Sequence, residues 1–573
     1  MRPAQPRAAA ELAQEAGLHR VAAQCLLNRG VGEPEAVRQF LRGGLGTLLR
    51  PDALPDIEPA VARIRRALRE RETICVWGDY DVDGVAGAAL FVRFLRLLGA
   101  ARVVPFLPQR TGSGYGFHWP TMERLAREEG VTLFVSVDHG STAFDAVRRA
   151  RDAGLDVVVA DHHEMSDPLP PAVAIVNPKR ADSAYGFASL CGTGVAMKLA
   201  WAVASELSPD ARVSDEVRAF LIDALAFAVL GTVADVVPLV GENRVIVRHG
   251  LSVLAARSHA GVAALLDVAG VRGPLRASDV AFKLAPRLNA AGRMGSADAA
   301  LELLLTDDPV RAGDLARRLE AANERRRAIE RSVADEARAC VTREFGGRPS
   351  DAIALHGDAW HHGVIGIVAA RLVDEFHVPV VIVSSEGGVG RGSARSVPGF
   401  ALHEALAACG EHLVAHGGHA AAAGLTIEPA RFPAFRDAFR RYAAEHVPDA
   451  SRTPTLELDA EVEPGDVDPS LAACLERLEP FGAGNPEPLL LLRRVTVAGR
   501  PRRMGAESEH VAFHAGRDGR ALRCVAFRRA AELAPLLESG APLDIAFAPQ
   551  QNAFRGAHEV EGLVRDVRAS SDD

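Results

Sequence analysis

Residues 73–84 have the sequence TICVWGDYDVDG, in which a short apolar run passes directly into alternating carboxylates. The apolar part, residues 73–77, has the length and the β-branched and aromatic content of a buried strand. Asp79, Asp81 and Asp83 follow it, and helical periodicity begins just after them. A strand, a polar loop and a helix in this order predict the first unit of an open α/β sheet. Ligands bind at the carboxyl ends of the strands of such sheets.

The same pattern recurs along the next hundred residues. Strand-like runs lie at 101–106, 132–137, 155–160 and 172–176, and helical stretches between them include Val85–Leu98 and Thr121–Glu129. This alternation predicts a mostly parallel sheet covered by helices. The third and fourth strands end in Asp138-His139-Gly140 and Asp161-His162-His163, and a later helix-to-loop junction supplies Asp235.

Four groups of carboxylate and imidazole side chains are therefore expected at one edge of this sheet. Such ligands suit Mn²⁺ or Mg²⁺, and the absence of nearby thiolates disfavours a structural zinc site. A calcium loop of the EF-hand type is a weaker alternative for residues 79–84. It needs a glutamate at its twelfth position, which is Leu90 here, and a helix before it, where this sequence has a strand.

The composition is that of an ordinary globular protein, with 48% hydrophobic and 24% charged residues and a net charge of −8. Seven cysteines are scattered singly among 573 residues, which indicates a reducing compartment, and we expect a cytoplasmic protein. The N-terminus shows no secretory signal. The apolar stretch 220–240 contains two aspartates and a proline, so it is interpreted as a buried helix running into a loop, with no membrane association.

A chain of this length needs several hydrophobic cores. We predict a second α/β unit, with strands at 352–356 and 379–383, and a small C-terminal β-barrel that follows the breaker-rich FGAGNPEP (481–488). The predicted divisions are a helical preface at 1–55, a first α/β domain at 56–250, a helical connector at 251–345, a second α/β domain at 346–446 and the barrel at 452–573.

Several further motifs complete a family resemblance. GDYDVDG, DHG and DHH, with GYG (114–116), TVADVVPL (232–239) and APRLNAAGRM (285–294), closely resemble the DHH phosphoesterase superfamily, and within it the bacterial exonucleases specific for single strands. The second unit has the associated-domain motifs WHHGVIGIVAARL (360–372), GRGSARS (390–396) and GGHAAAAG (417–424), and FGAGNPEP resembles the family's lead into an OB-fold. The departures are small: His362 stands where an acidic residue is more usual, and Ala394 where glycine is.

The resemblance implies a dinuclear Mn²⁺ or Mg²⁺ centre. Its ligands would be Asp79, Asp81, Asp83, Asp138, His162 and Asp235, with Asp138 as a bridge. His163 would steady the scissile phosphate or a ligand. The expected catalytic residues are accordingly Asp81, Asp83, Asp138, His162, His163 and Asp235. Two such ions activate water and stabilise the leaving oxygen, so no protein nucleophile is required.

The resemblance also implies the residues that hold the substrate. Arg110 and Arg293 would contact backbone phosphates, and a pocket for the 5′ end would use Ser393, Arg395 and His419 on glycine-rich turns. Tyr115 would either stack on a base or belong to the core. The tail from 491 to 573 is rich in arginine and lacks lysine. Its Phe513, Phe527 and Phe554 would offer stacking faces for a single strand, and a solvated basic surface is the alternative.

The implied function is a metal-dependent exonuclease that degrades single-stranded DNA from the 5′ end to mononucleotides, in DNA repair and recombination. A single-strand-binding protein and a helicase are the expected partners. The alternatives are a DHH phosphodiesterase that acts on oligoribonucleotides, cyclic dinucleotides or pyrophosphate, and an inactive DNA-binding scaffold. The first alternative generally lacks the N-terminal preface and the barrel, and the second lacks the ligands.

Overall fold

The first α/β unit is built on a sheet of five parallel strands in a computed structural model that describes residues 1–109, 116–208, 213–349, 351–386, 388–552 and 559–571. The strands are β1 (Thr73–Gly78), β2 (Arg102–Phe106), β3 (Val131–Val137), β4 (Asp156–Ala160) and β5 (Ala174–Val176). Their order is β2-β1-β3-β4-β5. The parallel sheet predicted from the alternating pattern is confirmed.

Helices cover both faces of this sheet. The helices of the N-terminal half are α1 (Pro6–Ala16), α2 (Arg20–Asn28), α3 (Pro34–Arg42), α4 (Ile57–Glu70), α5 (Val82–Leu97), α6 (Trp119–Glu129), α7 (Phe144–Asp152), α8 (Gly192–Glu206), α9 (Asp215–Asp223), α10 (Leu225–Ala234) and α11 (Gly241–Ala255). One face packs against α4, α5, α8 and α10 in a large core, and the other packs against α6 and α7. Because both faces are covered, the strands are almost wholly apolar.

The region after α11 joins the two α/β units. It contains α12 (Ala260–Val268), α13 (Ala277–Asp279), a π-helical turn (Val280–Leu284), α14 (Ala285–Met294), α15 (Asp298–Leu305) and the 37-residue α16 (Pro309–Phe345). Buried residues from α12 to Leu319 of α16 belong to the core of the first unit, whereas Val333 to Val341 of α16 pack into the second. Within the helical connector predicted at 251–345, α16 therefore runs from one core into the other.

The second unit has a mixed sheet in the order β6-β7-β8-β10-β9. Its elements are β6 (Ile353–Gly357), α17 (His362–Phe376), β7 (Val380–Ser384), β8 (Gly390–Arg395), α18 (Leu402–Ala408), β9 (Ala415–Gly418), β10 (Ala422–Ile427) and α19 (Phe432–His446). Only β6 and β7 pair in parallel among these described strands. Helix α17 packs on one face of the sheet and α19 on the other.

The C-terminal region is a closed barrel. It contains β11 (Ala460–Glu461), α20 (Pro469–Glu476), β12 (Leu490–Met504), β13 (His510–Arg517), β14 (Arg520–Ala526), α21 (Ala530–Leu537), β15 (Leu543–Asn552) and β16 (Glu559–Ala569). Pairing of β12 with β15 closes the sheet, as predicted for an OB-fold. The preface helices α1–α3 pack into the same core as this barrel, so the two ends of the chain meet.

The apolar stretch around residue 220 forms α9 and α10, and α10 is buried against α5, α8 and α11. Among the described residues, Asp215–Ala234 passes a membrane-span test of length and hydropathy, and half of its tested window is buried inside the protein. The bent pair α11–α12 passes that test only if it is counted as one span. Core helices meet the same criteria, so this finding is weak support for a membrane span.

Candidate metal centre and substrate face

The structure brings the predicted ligands together at the carboxyl edge of the first sheet. Nε2 of His162 lies 3.1 Å from Oδ1 of Asp138, 3.6 Å from Oδ2 of Asp235 and 3.8 Å from Oδ2 of Asp83. His162, Asp138 and Asp235 follow β4, β3 and α10, and Asp83 lies in the first turn of α5. An imidazole nitrogen facing three carboxylates is the surrounding that a divalent cation requires.

A second group adjoins the first. Ligand atoms of Asp79, Asp81 and Asp138 lie within 4.8 Å of one another, and so do those of Asp83, His162 and Asp235. A third grouping joins Asp138 and His162 to Asp161 and His163. Asp138 and His162 thus link neighbouring sets of oxygen and nitrogen donors. The donor chemistry fits two Mn²⁺ or Mg²⁺ ions.

Backbone amides hold Asp83 in place. Its two carboxylate oxygens accept hydrogen bonds from the N–H groups of Gly192 (2.6 Å) and Thr193 (2.9 Å), at the N-terminus of α8, where the helix dipole favours negative charge. A Cβ atom on Gly192 would lie 2.5 Å from the Cβ of Asp138, and one on Gly231 would lie 2.3 Å from Oδ1 of Asp83. Glycine is therefore required where α8 and α10 approach the carboxylates. These supports for Asp83 and Asp138 were not predicted from the sequence.

Asp81 and Asp138 are fixed by their backbone positions. Asp81 caps α5, because Oδ1 accepts hydrogen bonds from the N–H groups of Asp83 (3.0 Å) and Gly84 (3.3 Å). Asp138 has a φ of 69°, an uncommon conformation for a residue other than glycine. Strain of this kind concentrates at functional sites, where the surrounding structure enforces it.

Crowding of these carboxylates raises their proton affinity. Burial raises the pKa of Asp138 well above its usual range, and the charges of Asp83, Asp81 and Asp79 raise it further. Burial, followed by the charges of Asp83 and Asp81, raises the pKa of Asp235 to about 8. The cluster is thus costly as a set of unneutralised anions, and bound cations would remove that cost.

Asp161 organises the loop that carries the two histidines. Its Oδ1 accepts hydrogen bonds from the N–H groups of His162 (2.7 Å) and His163 (3.2 Å) and lies 2.8 Å from Nδ1 of His163, and its Oδ2 accepts from the N–H of Ser141. Burial favours a higher pKa for Asp161, but these hydrogen bonds hold it below the usual range. The bond to Asp161 raises the pKa of His163 to about 9. No role for Asp161 was predicted from the sequence, and its position directly after β4 is the signal that marks it.

The predicted turn at Ser393 and Arg395 is wrong. Both residues lie in β8, which is hydrogen-bonded to β7 on one side and to β10 on the other. Gly390 and Gly392 serve close packing instead, since added Cβ atoms would strike Ile427 and Leu425. The backbone N–H groups of β8 are hydrogen-bonded to the neighbouring strands. An anion at this position would therefore be held by side chains.

Strand alternation places Ser393 and Arg395 on the same face, beside α17. Arg395 donates hydrogen bonds to Oγ of Ser393 (3.2 Å) and to the carbonyl of Ala394 (2.8 Å). A Cβ atom on Gly366 of α17 would lie 2.8 Å from Oγ of Ser393. His419 is exposed in the β9–β10 turn, where its N–H donates a hydrogen bond to the carbonyl of Ala422. Ala422 lies opposite Arg395 in the pairing of β10 with β8.

Helix α14 links this face to the metal-ligand loop. Arg293 donates a hydrogen bond to the carbonyl of Gly363, at the start of α17 (3.3 Å). On the other side, Oδ1 of Asn289 accepts from the N–H of Val82, and Gly292 packs against the carbonyl of Tyr80. Arg293 therefore lies between the two candidate sites. Arg110 and Tyr115 lie outside the described residues.

The barrel only partly matches its predicted single-strand surface. Phe513 is buried in the core, because β13 turns it inward, so its predicted stacking role is wrong. Phe527 is 55% exposed, and Phe554 lies outside the described residues. Several of the arginines form ion pairs within the barrel region, such as Arg493 with Glu461 and Arg565 with Glu487. Exposed arginines on β12 include Arg500, Arg502 and Arg503.

Comparisons with known proteins agree with this arrangement. Family models match the DHH family, N-terminal domain at residues 73–229, the DHHA1 domain at 341–445 and the RecJ OB domain at 458–566. The single-stranded-DNA-specific exonuclease RecJ of Dickeya dadantii is 35% identical over 94% of this chain and 94% of its own length.

Two solved structures of Thermus thermophilus RecJ share the fold over the whole of this chain. The complex with Mn²⁺ has a TM-score of 0.83 and 33% identity, with 79% of that chain covered. The complex with Mg²⁺ has a TM-score of 0.77 and 30% identity, with 78% covered. The three matched domains, the identity to a full-length relative and the shared fold together show that this chain belongs to the RecJ family of DHH exonucleases.

Proposed function

We propose that this chain is a metal-dependent exonuclease that degrades single-stranded DNA from the 5′ end to mononucleotides, in DNA repair and recombination. The observation that carries the proposal is the position of His162 Nε2, within 3.8 Å of three carboxylates from three other segments. A nuclease needs such a donor set beside a surface that holds a strand. Arg293, between the metal-ligand loop and α17, supplies the start of that surface.

Asp79, Asp81, Asp83, Asp138, His162 and Asp235 would hold two Mn²⁺ or Mg²⁺ ions. When bound, such ions supply a water nucleophile at neutral pH and stabilise charge on the phosphoryl group and the leaving oxygen. The protein contributes preorganisation: the α8 amides fix Asp83, and Asp161 fixes the loop of His162. His163 is half-exposed, with Nδ1 engaged by Asp161, so its Nε2 is the ring nitrogen available to a phosphate oxygen.

Polarity follows from the second unit. An exonuclease that starts at a 5′ end needs a group that recognises this end at a fixed distance from the reacting phosphate. Ser393 and Arg395 share a face of β8 that lies against α17, and α17 in turn contacts Arg293. A terminal phosphate carries more negative charge than an internal diester, so a guanidinium prefers it.

The function is tested by degradation of a 3′-labelled single strand with a 5′-phosphate in Mn²⁺. We expect progressive shortening from the 5′ end with release of mononucleotides, and resistance of a circular single strand and a blunt duplex. A cyclic dinucleotide and a short oligoribonucleotide serve as the rival substrates. Cleavage of these alone, or of the circle, would contradict the proposal.

The 5′ pocket is tested by Arg395→Ala on strands with a 5′-phosphate and with a 5′-hydroxyl. Loss of a charge-assisted contact should reduce kcat/KM by about one to two orders of magnitude on the phosphorylated strand. The loss should be much smaller on the hydroxyl strand, which lacks the partner charge. Arg436→Ala is the matched control, since α19 lies on the opposite face of the sheet. Equal losses on both strands would indicate that Arg395 contacts an internal phosphate of the DNA and would contradict its role in a 5′ pocket.

An enzyme restricted to single strands needs a partner that unwinds duplex DNA. We propose that a helicase and a single-strand-binding protein present the strand, and that the enzyme works in the cytoplasm, where all seven unpaired cysteines remain reduced. Addition of ATP and a helicase that unwinds the duplex to expose a 5′-ended single strand should convert a resistant duplex into a substrate. Continued resistance of an unwound duplex would contradict this role.

A further inference from the structure

A cavity of about 420 Å³ adjoins the candidate metal centre outside the ligand set. Its walls come from the loop after α10, the π-helical turn, α14, α16, α17 and the segment before the barrel. The apolar lining includes Val236, Phe282, Ile367 and Phe481, and the polar lining includes Arg293 and Arg326. A volume of this size lies within the range of small-ligand sites.

Val236 lines this cavity in a strained backbone conformation. It directly follows Asp235, has a φ of 60° and is 68% exposed. A β-branched residue rarely adopts this backbone conformation, and such strain persists where the structure enforces it for function. The conformation holds an apolar side chain at the cavity wall, one residue from a metal-ligand carboxylate.

Phe282 exposes a second apolar side chain in the same cavity. It is 74% exposed, although its neighbours Val280 and Leu284 in the π-helical turn are buried in the core. Turns of this kind are rare and frequently occur at functional sites. Val236 and Phe282 are two of the most exposed large apolar side chains among the described residues, and both line one cavity. Clustered apolar exposure of this sort indicates a binding surface.

Two guanidinium groups border this apolar wall. Arg293 reaches the carbonyl of Gly363, and Arg326 donates hydrogen bonds to Glu330 (2.6 Å) and Asn323 (3.0 Å). Arg326 is ion-paired with Glu330, so the guanidinium offered to a phosphate here is that of Arg293. An aromatic ring and an aliphatic side chain beside this cation match the two parts of a nucleotide, its base and its phosphate. Because the contacts to the base are apolar, they do not distinguish one base from another.

We propose that this cavity receives the base of one nucleotide of the single strand, packed against Phe282 and Val236, and so positions the neighbouring phosphate at the metal centre. The inference rests on the proposed exonuclease function and adds a subsite to it. Phe282 and Val236 are positioning residues, since they act through the substrate's base and not on the reacting phosphate.

The test is a time-resolved product ladder from a single strand that contains one abasic site. In the wild-type enzyme, the rate of one cleavage step should fall about 10-fold when the abasic nucleotide reaches the cavity, because the stacking contact is then missing. This pause should occur at one fixed distance between the abasic site and the 5′ end. In Phe282→Ala all steps should slow about 10-fold and the pause should disappear, since the contact is absent for every base. Phe282→Tyr, which keeps the ring, should restore both the rate and the pause.

Val310→Ala is the matched control, because Val310 is also 74% exposed but lies at the first turn of α16, away from the cavity. It should behave as the wild type. A binding readout without turnover uses a strand with 2-aminopurine at successive positions, in EDTA. Quenching at one position should be lost in Phe282→Ala and kept in Val310→Ala.

The outcomes separate this inference from the proposed function. If the wild type digests single strands with 5′ polarity but Phe282→Ala retains the pause and the quenching, the base subsite is wrong and the exonuclease assignment stands. If the wild type digests no single strand in Mn²⁺ and shows no position-specific quenching, both the function and the subsite fail. An abasic pause that persists in Phe282→Ala at wild-type rates also overturns the subsite.

Discussion

The two ends of the first sheet carry clustered carboxylates in opposite surroundings. At the amino end, Arg63 donates hydrogen bonds to Glu72 (2.6 Å) and to Asp156 (2.5 Å), and Arg66 adds a second contact to Asp156. At the carboxyl end, Asp83, Asp138 and Asp235 surround the imidazole of His162. The first set is neutralised within the protein, and the second is not.

The pKa values of Glu72 and Asp235, one carboxyl group from each end, shift in opposite directions. Burial favours a higher pKa for Glu72, but hydrogen bonds from Arg63 and Thr132 and the charges of Arg63 and Arg66 lower it overall. Burial and neighbouring anions raise the pKa of Asp235 to about 8. Similar residue types thus stabilise the fold at one end of the strands and cost stability at the other until cations bind. The costly cluster is the one that carries the chemistry.

The largest effect is expected from Asp138→Ala, which removes the carboxylate shared by two ligand groups. Because dinuclear centres contribute several kcal/mol to the barrier reduction, kcat should fall at least about 10³-fold. The measurement is turnover on a single strand in Mn²⁺. Asp145→Ala, which removes an exposed aspartate from the same unit, should leave kcat unchanged. Near-normal activity of Asp138→Ala would remove this residue from the centre.

Asp161→Asn tests the hydrogen bonds that support the carboxyl end. The substitution keeps the shape of the side chain but removes one of the acceptors that hold the N–H groups of Ser141, His162 and His163. Activity or Mn²⁺ affinity should fall about 10- to 100-fold, as for other groups that orient metal ligands. Asp182→Asn, an exposed substitution in the same unit, is the control. Equal behaviour of the two variants would contradict a positioning role for Asp161.

The metal-free protein should lose thermal stability as pH rises from about 4 to about 8. Asp235 has a folded pKa of about 8, above the unfolded value of about 3.9, so the folded state binds more protons in this window and stability falls with pH. Mn²⁺ should raise the melting temperature most near pH 8, and Asp235→Asn should flatten the profile without metal. A melting temperature that is independent of pH and Mn²⁺ would contradict an unneutralised carboxylate cluster at the carboxyl end of the sheet.

The smallest effect is expected at the amino end. Glu72→Gln should lower the free energy of unfolding at pH 7 by about 1–3 kcal/mol, because buried Arg63 loses a charged partner, and it should leave kcat unchanged. The folded pKa of Glu72 is below its unfolded value, so its contribution is present above the unfolded pKa and is lost as pH falls through the folded pKa. The difference from wild type should therefore vanish in acid. Glu70→Gln, at a half-exposed neighbour, should match the wild type throughout.

Local pattern was sufficient where a strand ran directly into its functional side chains. The apolar run before Asp79 and the run before Asp138 each predicted a strand, and parallel strands bring their carboxyl ends to one edge. The pattern failed at Ser393, where glycines suggested a turn but close packing against Ile427 and Leu425 produces an interior strand. It failed again at Phe513, because alternation within a barrel strand does not tell which face turns inward.

The strands of the parallel sheet and of the barrel, and the carboxylates and histidines that follow them, were predictable from the amino-acid pattern, because each strand and the loop after it form one local segment. The surroundings of these residues depend on packing between distant elements. This packing brings the α8 amides to Asp83, joins α1–α3 to the barrel core and places Phe282 and Val236 on the walls of one cavity. These contacts connect residues far apart in the chain, and their geometry depends on packing of whole elements that no local pattern encodes.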